Sequence, residues 1–345
     1  MPPVEIKKPL TPDAQLSLVR FSPCGAVLAA AAHDGTVRRF DFTKPEPVEL
    51  PKLGGHNGWV TALAFHPTTK RLFTGDSWGK LVAWDDAVGT AKKGWEVTAA
   101  HDGWLRRLAV SPDGKAVATV GRDGFVRLWN ADTGEKGKAF DGEDDLLAVA
   151  FHPGGALVTG DLHGRVKVWD TATGKVIRTV ENAELYRLDR IQDVGGARCF
   201  AFDSKRETLL VGGAQPKTGG FVQAIPHLFA VDWKTGKRLH TWKGTSDNEG
   251  YVHDVAWHPA GYTVAVTSGQ PGQGKVFFWK PGEAAPHFTT AKPNCHSLAL
   301  SPDGTRLAVA ATNANSSGNG RVKGKNGEYP ANTSPIHLWT LPKSG

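Results

Sequence analysis

Two short signatures alternate seven times along the 345-residue chain, and repetition of this kind leaves few folds open. The first is an apolar run closed by Ser-Pro or His-Pro: LVRFSP, LAFHP, LAVSP, VAFHP, VAWHP and LALSP, with AFDS as a departure. Its closing positions are Pro23, Pro67, Pro112, Pro153, Ser204, Pro259 and Pro302. The second ends in an aromatic residue, usually followed by a polar one: VRRFD, LVAWD, VRLWN, VKVWD, FAVD, VFFWK and IHLWT. Between them lies a further apolar stretch closed by a Gly turn, as in KAVATVGRDG at 115–124. Alternation of β-branched and small residues at period two reads as antiparallel hairpins. Proline lacks a backbone N–H, so it ends ladder pairing after the first strand.

A more variable strand follows each second signature, such as KVIRTV at 175–180. Four strands per unit and seven units predict an all-β fold, a seven-bladed β-propeller of four-stranded antiparallel blades in a single domain, 1–345. The repeats fall at about 15–51, 55–98, 101–141, 144–180, 196–243, 250–290 and 293–341. The last repeat supplies only three strands. The segment at about 3–10, containing VEIKKPL, has strand character, and pairing it with the last blade removes an exposed edge.

The chain resembles the WD-repeat β-propeller family. GHNGWV (55–60) with AWD (83–85) keeps the family's GH…WD signature, whereas Val231 replaces the Trp and Lys280 and Thr340 replace the Asp elsewhere. The resemblance implies a hydrogen-bonded scaffold of His, Ser/Thr, Asp and Trp inside a blade. The third repeat matches it fully, with His101, Thr119, Asp123 and Trp129. The second has His56, Thr74 and Trp84, but Trp78 stands where the Asp belongs. Such a His–Asp–hydroxyl set imitates a catalytic triad; its spacing within one blade makes it scaffold.

Composition closes off other classes. Hydrophobic residues make up 40%, enough for a packed core. No run of about 18 apolar residues offers a membrane span. The start, MPPVEIKKPL, has no apolar signal region, so the expectation is a cytoplasmic protein with no membrane anchor. Cys24, Cys199 and Cys295 are too scattered for a disulfide framework or a cysteine zinc site. No HExxH motif or nucleophile elbow occurs. Residues 269–275 imitate a phosphate-binding loop, but Val276 stands in place of the metal-binding hydroxyl and the segment joins two strands. No catalytic residue, metal or cofactor is assigned, and the chain is expected not to be an enzyme.

Spacing between signatures locates inserted material. From the Pro position to the aromatic position the intervals are 17, 17, 17, 16, 27, 20 and 37 residues. The longest onward connection runs from the fourth to the fifth repeat, at roughly 181–196. In an up-and-down blade the turn from strand two to three and the exit from strand four share one end, conventionally the top. Long loops at 181–196, 214–226 and 312–335 are therefore expected there, the last being rich in Asn, Gly and Ser.

The same face receives the residues that open each innermost strand, a position at which members of the family commonly contact partners. Those of binding type are Trp59, Trp104, Arg106, Arg198, Tyr251, His253 and His296, and Arg122 joins them from a hairpin turn with His33 and Ser77. The expected function is a non-enzymatic interaction scaffold, a monomer that binds a protein or peptide bearing acidic groups opposite Arg106, Arg122 and Arg198. An enzyme or small-molecule binder would instead use His253 and His296 at the mouth of the channel. The net charge of +7 gives nucleic-acid binding only weak support.

Overall fold

The computed structural model describes residues 2–218, 223–269, 272–312 and 333–342. Seven four-stranded antiparallel sheets form seven blades, six with strands in simple sequential order and the last closed by the N-terminal strand, so the fold class is the all-β seven-bladed propeller. The first strands of the blades are Leu16–Phe21, Val60–Phe65, Leu105–Val110, Leu146–Phe151, Cys199–Phe202, Tyr251–His258 and Ser297–Leu300. The chain divides into two compact units, one of residues 17–181 and one of residues 1–16 with 182–345.

Within a blade, burial falls from the middle strands to the outermost one, and the residue types follow it. The second strand of blade one, Val27–Ala32 (VLAAAA), is buried along its whole length, as is Leu72–Asp76 of blade two. Small and β-branched side chains fit there because both faces of the strand are covered. The outermost strand Lys136–Asp141 (KGKAFD) exposes all but Phe140, which stacks on Trp169 of blade four at 5.8 Å. Apolar cores lie between successive blades rather than inside one. Leu18, Val37 and Leu53 of blade one meet Leu63, Val82 and Trp84 of blade two. Leu228 and Trp242 of blade five likewise meet Val255 and Phe277 of blade six. No blade is a self-sufficient core, so stability comes from stacking repeats.

The N-terminal strand completes the last blade, as the strand count requires. Val4–Leu10 pairs antiparallel with Ile336–Thr340, with Val4 opposite Thr340 and Ile6 opposite Leu338. An ionic clasp reinforces this ladder: Lys292 Nζ and His337 Nδ1 lie 2.6 and 3.1 Å from Glu5 Oε1. Burial, then the nearby Lys292, hold the His337 imidazole below its usual range despite Glu5.

Two expected loops are instead ordered strands. Residues 181–196 form a short 3-10 turn, Ala183–Leu185, and a hairpin of Tyr186–Asp189 with Gln192–Gly195. Arg238 anchors its base through Glu184 and Asn182. In blade five, residues 214–218 and 223–226 of the stretch expected as a loop at 214–226 continue the ladder, since the strands run Thr208–Thr218 and Gln223–Asp232, while 219–222 lie outside the described residues. Interval arithmetic detects inserted residues but cannot tell a loop from a longer hairpin. Most of the expected 312–335 loop lies outside the described residues.

Candidate docking surfaces

The His–Asp–hydroxyl sets act as internal braces. In blade three, His101 Nδ1 lies 2.9 Å from Asp123 Oδ1 and its Nε2 lies 2.8 Å from Thr119 Oγ1, which accepts the Trp129 indole N–H at 2.8 Å. Burial pushes the His101 imidazole below its usual range, although the Asp123 hydrogen bond and charge work the other way. Burial also opposes the Asp123 charge, but hydrogen bonds from His101, Asp102 N–H and Arg127 hold its pKa far below the usual carboxylate range. The brace joins strands and turn.

Blade two corrects the expectation that only the third repeat is complete. Asp76, at the end of the second strand, supplies the missing acid: Oδ2 lies 2.9 Å from His56 Nδ1, while His56 Nε2 and Trp84 Nε1 both reach Thr74 Oγ1. The backbone shows why this works. In blade three the matching position is Gly121, where an added Cβ would lie 2.5 Å from His101 Nδ1. A side chain there points straight at the ring, so the carboxylate can come from the strand end or from the turn. Blade four keeps Trp169 and Thr159 at 2.8 Å but has Gly142 near the missing histidine, and its Asp161 pairs with Arg165 at 2.6 Å.

Freed from the brace, Trp78 lies outside. It is 67% exposed, the most exposed of the large aromatic side chains among the described residues, and its ring edge rests on Gly58, where an added Cβ would meet it at 2.6 Å. Next to Gly58 comes Trp59, 47% exposed, with its backbone N–H held by Ser77 Oγ at 3.0 Å. His33 stacks on Trp59, with ring centroids 4.6 Å apart and planes within 12°. Burial lowers the His33 pKa, with Asp34 opposing, which favours the neutral stacked ring. Trp104 meets the Trp59 ring edge-on at 5.6 Å, and the Arg106 guanidinium lies 4.9 Å from the centre of Trp104. The rings of His33, Trp59 and Trp104 thus touch in a row, with Trp78 beside it against Gly58; of these the sequence reading had Trp59, Trp104 and the turn residue His33. Trp78 was passed over as a misplaced brace residue; an indole in a Gly-bounded turn was the available signal.

Arg106 is not a free cation. It forms a two-point pair with Asp145, Nε at 3.1 Å and Nη2 at 2.6 Å. Arg122 is exposed beside Trp104, whose carbonyl accepts the Arg122 backbone N–H at 2.9 Å.

The remaining predicted residues gather separately in the other unit. Arg198 covers the face of Tyr251 at 4.3 Å and donates from Nε to the Gly195 carbonyl at 3.1 Å. Tyr251 is only 6% exposed, packed with Val194, Ala214 and Ala224, so it serves as a platform for Arg198 more than as an outward contact. His253 lies 6.1 Å from Tyr251 and 6.4 Å from His296, rings nearly perpendicular in the second pair. Asp254 turns into the packing, as its alternation predicts, accepting from Ser297 Oγ at 2.6 Å and Leu298 N–H at 3.1 Å.

Among the described residues no group of three or more metal-ligating side chains occurs, and no helix is long and apolar enough to cross a membrane.

Comparison with known proteins agrees with the architecture. Telomerase protein component 1 of Rattus norvegicus is 28% identical over 150 residues, covering 41% of this chain and 6% of that protein. Protein cortex of Heliconius erato is 26% identical over 188 residues, 51% of this chain and 42% of its own length. WD repeat-containing protein RUP2 of Arabidopsis thaliana is 27% identical over 182 residues, 49% of this chain and 48% of its own. The matched region is thus less than half of each of these relatives. The WD domain, G-beta repeat, matches residues 13–41, 48–85, 95–130, 134–170 and 236–280, more than half of the sequence. With seven blades behind those matches, the chain belongs to the WD-repeat family.

Proposed function

We propose that this protein is a non-enzymatic interaction scaffold that docks a protein or peptide on the blade ends carrying Trp59, Trp78 and Trp104. WD-repeat proteins are interaction scaffolds in general, which supports the class but not the surface. The single observation that carries the surface is the solvent-facing ring row. Trp59 and Trp78 expose about half or more of their area, although burying such side chains is worth ~2 kcal/mol or more each. Tryptophan combines rigidity, area and a polar donor, which is why it dominates binding energetics.

Affinity capture tests the reading by comparing the intact protein with a Trp59→Ala/Trp78→Ala variant of equal melting temperature. A protein retained by the intact chain and lost by the variant supports it; equal retention by both refutes it. A second reading, small-anion binding, is favoured by the 6.4 Å His253–His296 pair near Arg198. Stabilisation by phosphate that disappears in His253→Ala supports that reading instead.

A further inference from the structure

The donors and acceptors of the ring row are unequal, and the imbalance identifies the kind of segment that fits it. None of the indole N–H groups of Trp59, Trp78 and Trp104 has an acceptor among the described residues. The nearby carboxylates are largely consumed: Asp34 accepts from Thr36 and Arg38, and Asp145 holds Arg106. Arg122 and Asp102, one of each sign, flank Trp104, so they leave no net charge beside the rings. The surface therefore offers exposed indole area at Trp59 and Trp78 and unused N–H donors, with little net charge and few free acceptors.

We propose that this surface binds a proline-rich segment in the polyproline II conformation, an inference that rests on the docking reading above. Such a segment has the opposite inventory. Proline carries no N–H, the helix makes no internal hydrogen bonds, and every carbonyl is left as an acceptor. Its pyrrolidine rings are apolar and pack on indole faces, and its stiffness lowers the entropy lost on docking. Trp59 and Trp104 stand at 76° to each other, so the two rings do not form a flat platform for stacked bases. Single-stranded nucleic acid would also stack on exposed rings, but it needs unpaired cations along its backbone. Arg106 is neutralised by Asp145 and Arg38 by Asp34. Among the described arginines beside these rings, Arg122 is left for an acidic peptide to meet.

The test uses the full chain with fluorescently labelled decaproline, an alanine-rich peptide of equal length, an acidic Glu/Ser peptide and oligothymidylate, read by anisotropy. Decaproline is expected to bind, and the other three at least about ten-fold more weakly. Trp78→Ala and Trp59→Ala should each weaken decaproline about ten-fold. Trp78→Phe, which keeps a ring and removes the N–H, should lose an intermediate factor of about three to five. Trp78 is so exposed that its replacement leaves the fold intact, which equal melting temperatures will verify. No decaproline binding, binding unchanged in Trp59→Ala and Trp78→Ala, or preference for the acidic peptide or the oligonucleotide overturns the proposal. If decaproline fails while Trp59→Ala/Trp78→Ala still loses a captured protein, the occupant is wrong and the docking surface stands. If neither is lost, both fail.

Discussion

Replacing Asp76 by Gly in blade two tests the brace logic with a magnitude that the geometry sets. The Asp76 side chain has no solvent exposure and accepts four hydrogen bonds: from His56 Nδ1 at 2.9 Å and from the backbone N–H groups of Asn57, Trp78 and Lys80 at 3.2, 2.9 and 3.0 Å. Asn57 and Trp78 are exposed residues whose N–H groups can turn to water; His56 and Lys80 are buried. Two orphaned buried donors at ~2 kcal/mol each give a loss of ~4 kcal/mol. That is ~8 °C in melting temperature at roughly 2 °C per kcal/mol for a large domain. Adding Trp78→Asp copies blade three, where Gly121 and Asp123 occupy the same two places. The double variant should therefore recover more than half of the loss in a thermal melt. It should also weaken decaproline binding about ten-fold, because the exposed indole is gone. A D76G protein melting within about a degree of the parent, or no recovery in D76G/W78D, would refute the interchangeability of the two acid positions.

Three further outcomes are expected. His227 is buried with both ring nitrogens unpartnered, and burial with the Lys243 charge holds its pKa down to about 4. The unfolded imidazole, near 6.5, takes a proton first on acidification. Its stabilisation is thus complete above that value and lost by up to ~3 kcal/mol as pH falls from 6.5 to about 4; His227→Leu should flatten urea midpoints over that window. Deleting residues 1–10 removes the partner of Ile336–Thr340 and the acceptor of Lys292, so light scattering should show self-association through the bared edge, whereas Glu5→Gln lowers the melting temperature slightly. Cys24 is exposed while burial pushes Cys295 up to about 12, so a thiol reagent should modify Cys24 rapidly in the native protein and Cys199 and Cys295 only on unfolding.

The fold was readable because each blade repeats the same local chemistry. Period-two alternation, a proline where pairing stops and a Gly turn recur often enough that eroded copies, such as Val231 for Trp, do not obscure the count. The closing strand followed from arithmetic alone. Three-dimensional partnership was not readable in the same way. Sequence alignment placed Trp78 at a brace position because it compares residues in register, whereas the His56 ring is reached from a neighbouring position on the strand. Arg106 reads as a free binding cation until Asp145, 39 residues on, is found bound to it. Tyr251 reads as a contact residue until the hairpin at 186–195 covers it through Val194. Each miss concerns a pairing made by folding rather than a property of one residue.

The pairing of Val4 with Thr340 carries an architectural consequence for anything attached to this chain. Antiparallel partners in a ladder sit only ~5 Å apart at Cα, so the polypeptide enters and leaves through one corner of the last blade. Two modules fused at opposite ends would emerge side by side, tethered as neighbours rather than held apart by the width of the protein. Joining the ends with a short linker and opening the chain at an exposed turn such as 132–135 should preserve all seven sheets, which makes the scaffold suited to rearranging its order of synthesis without rearranging its surface.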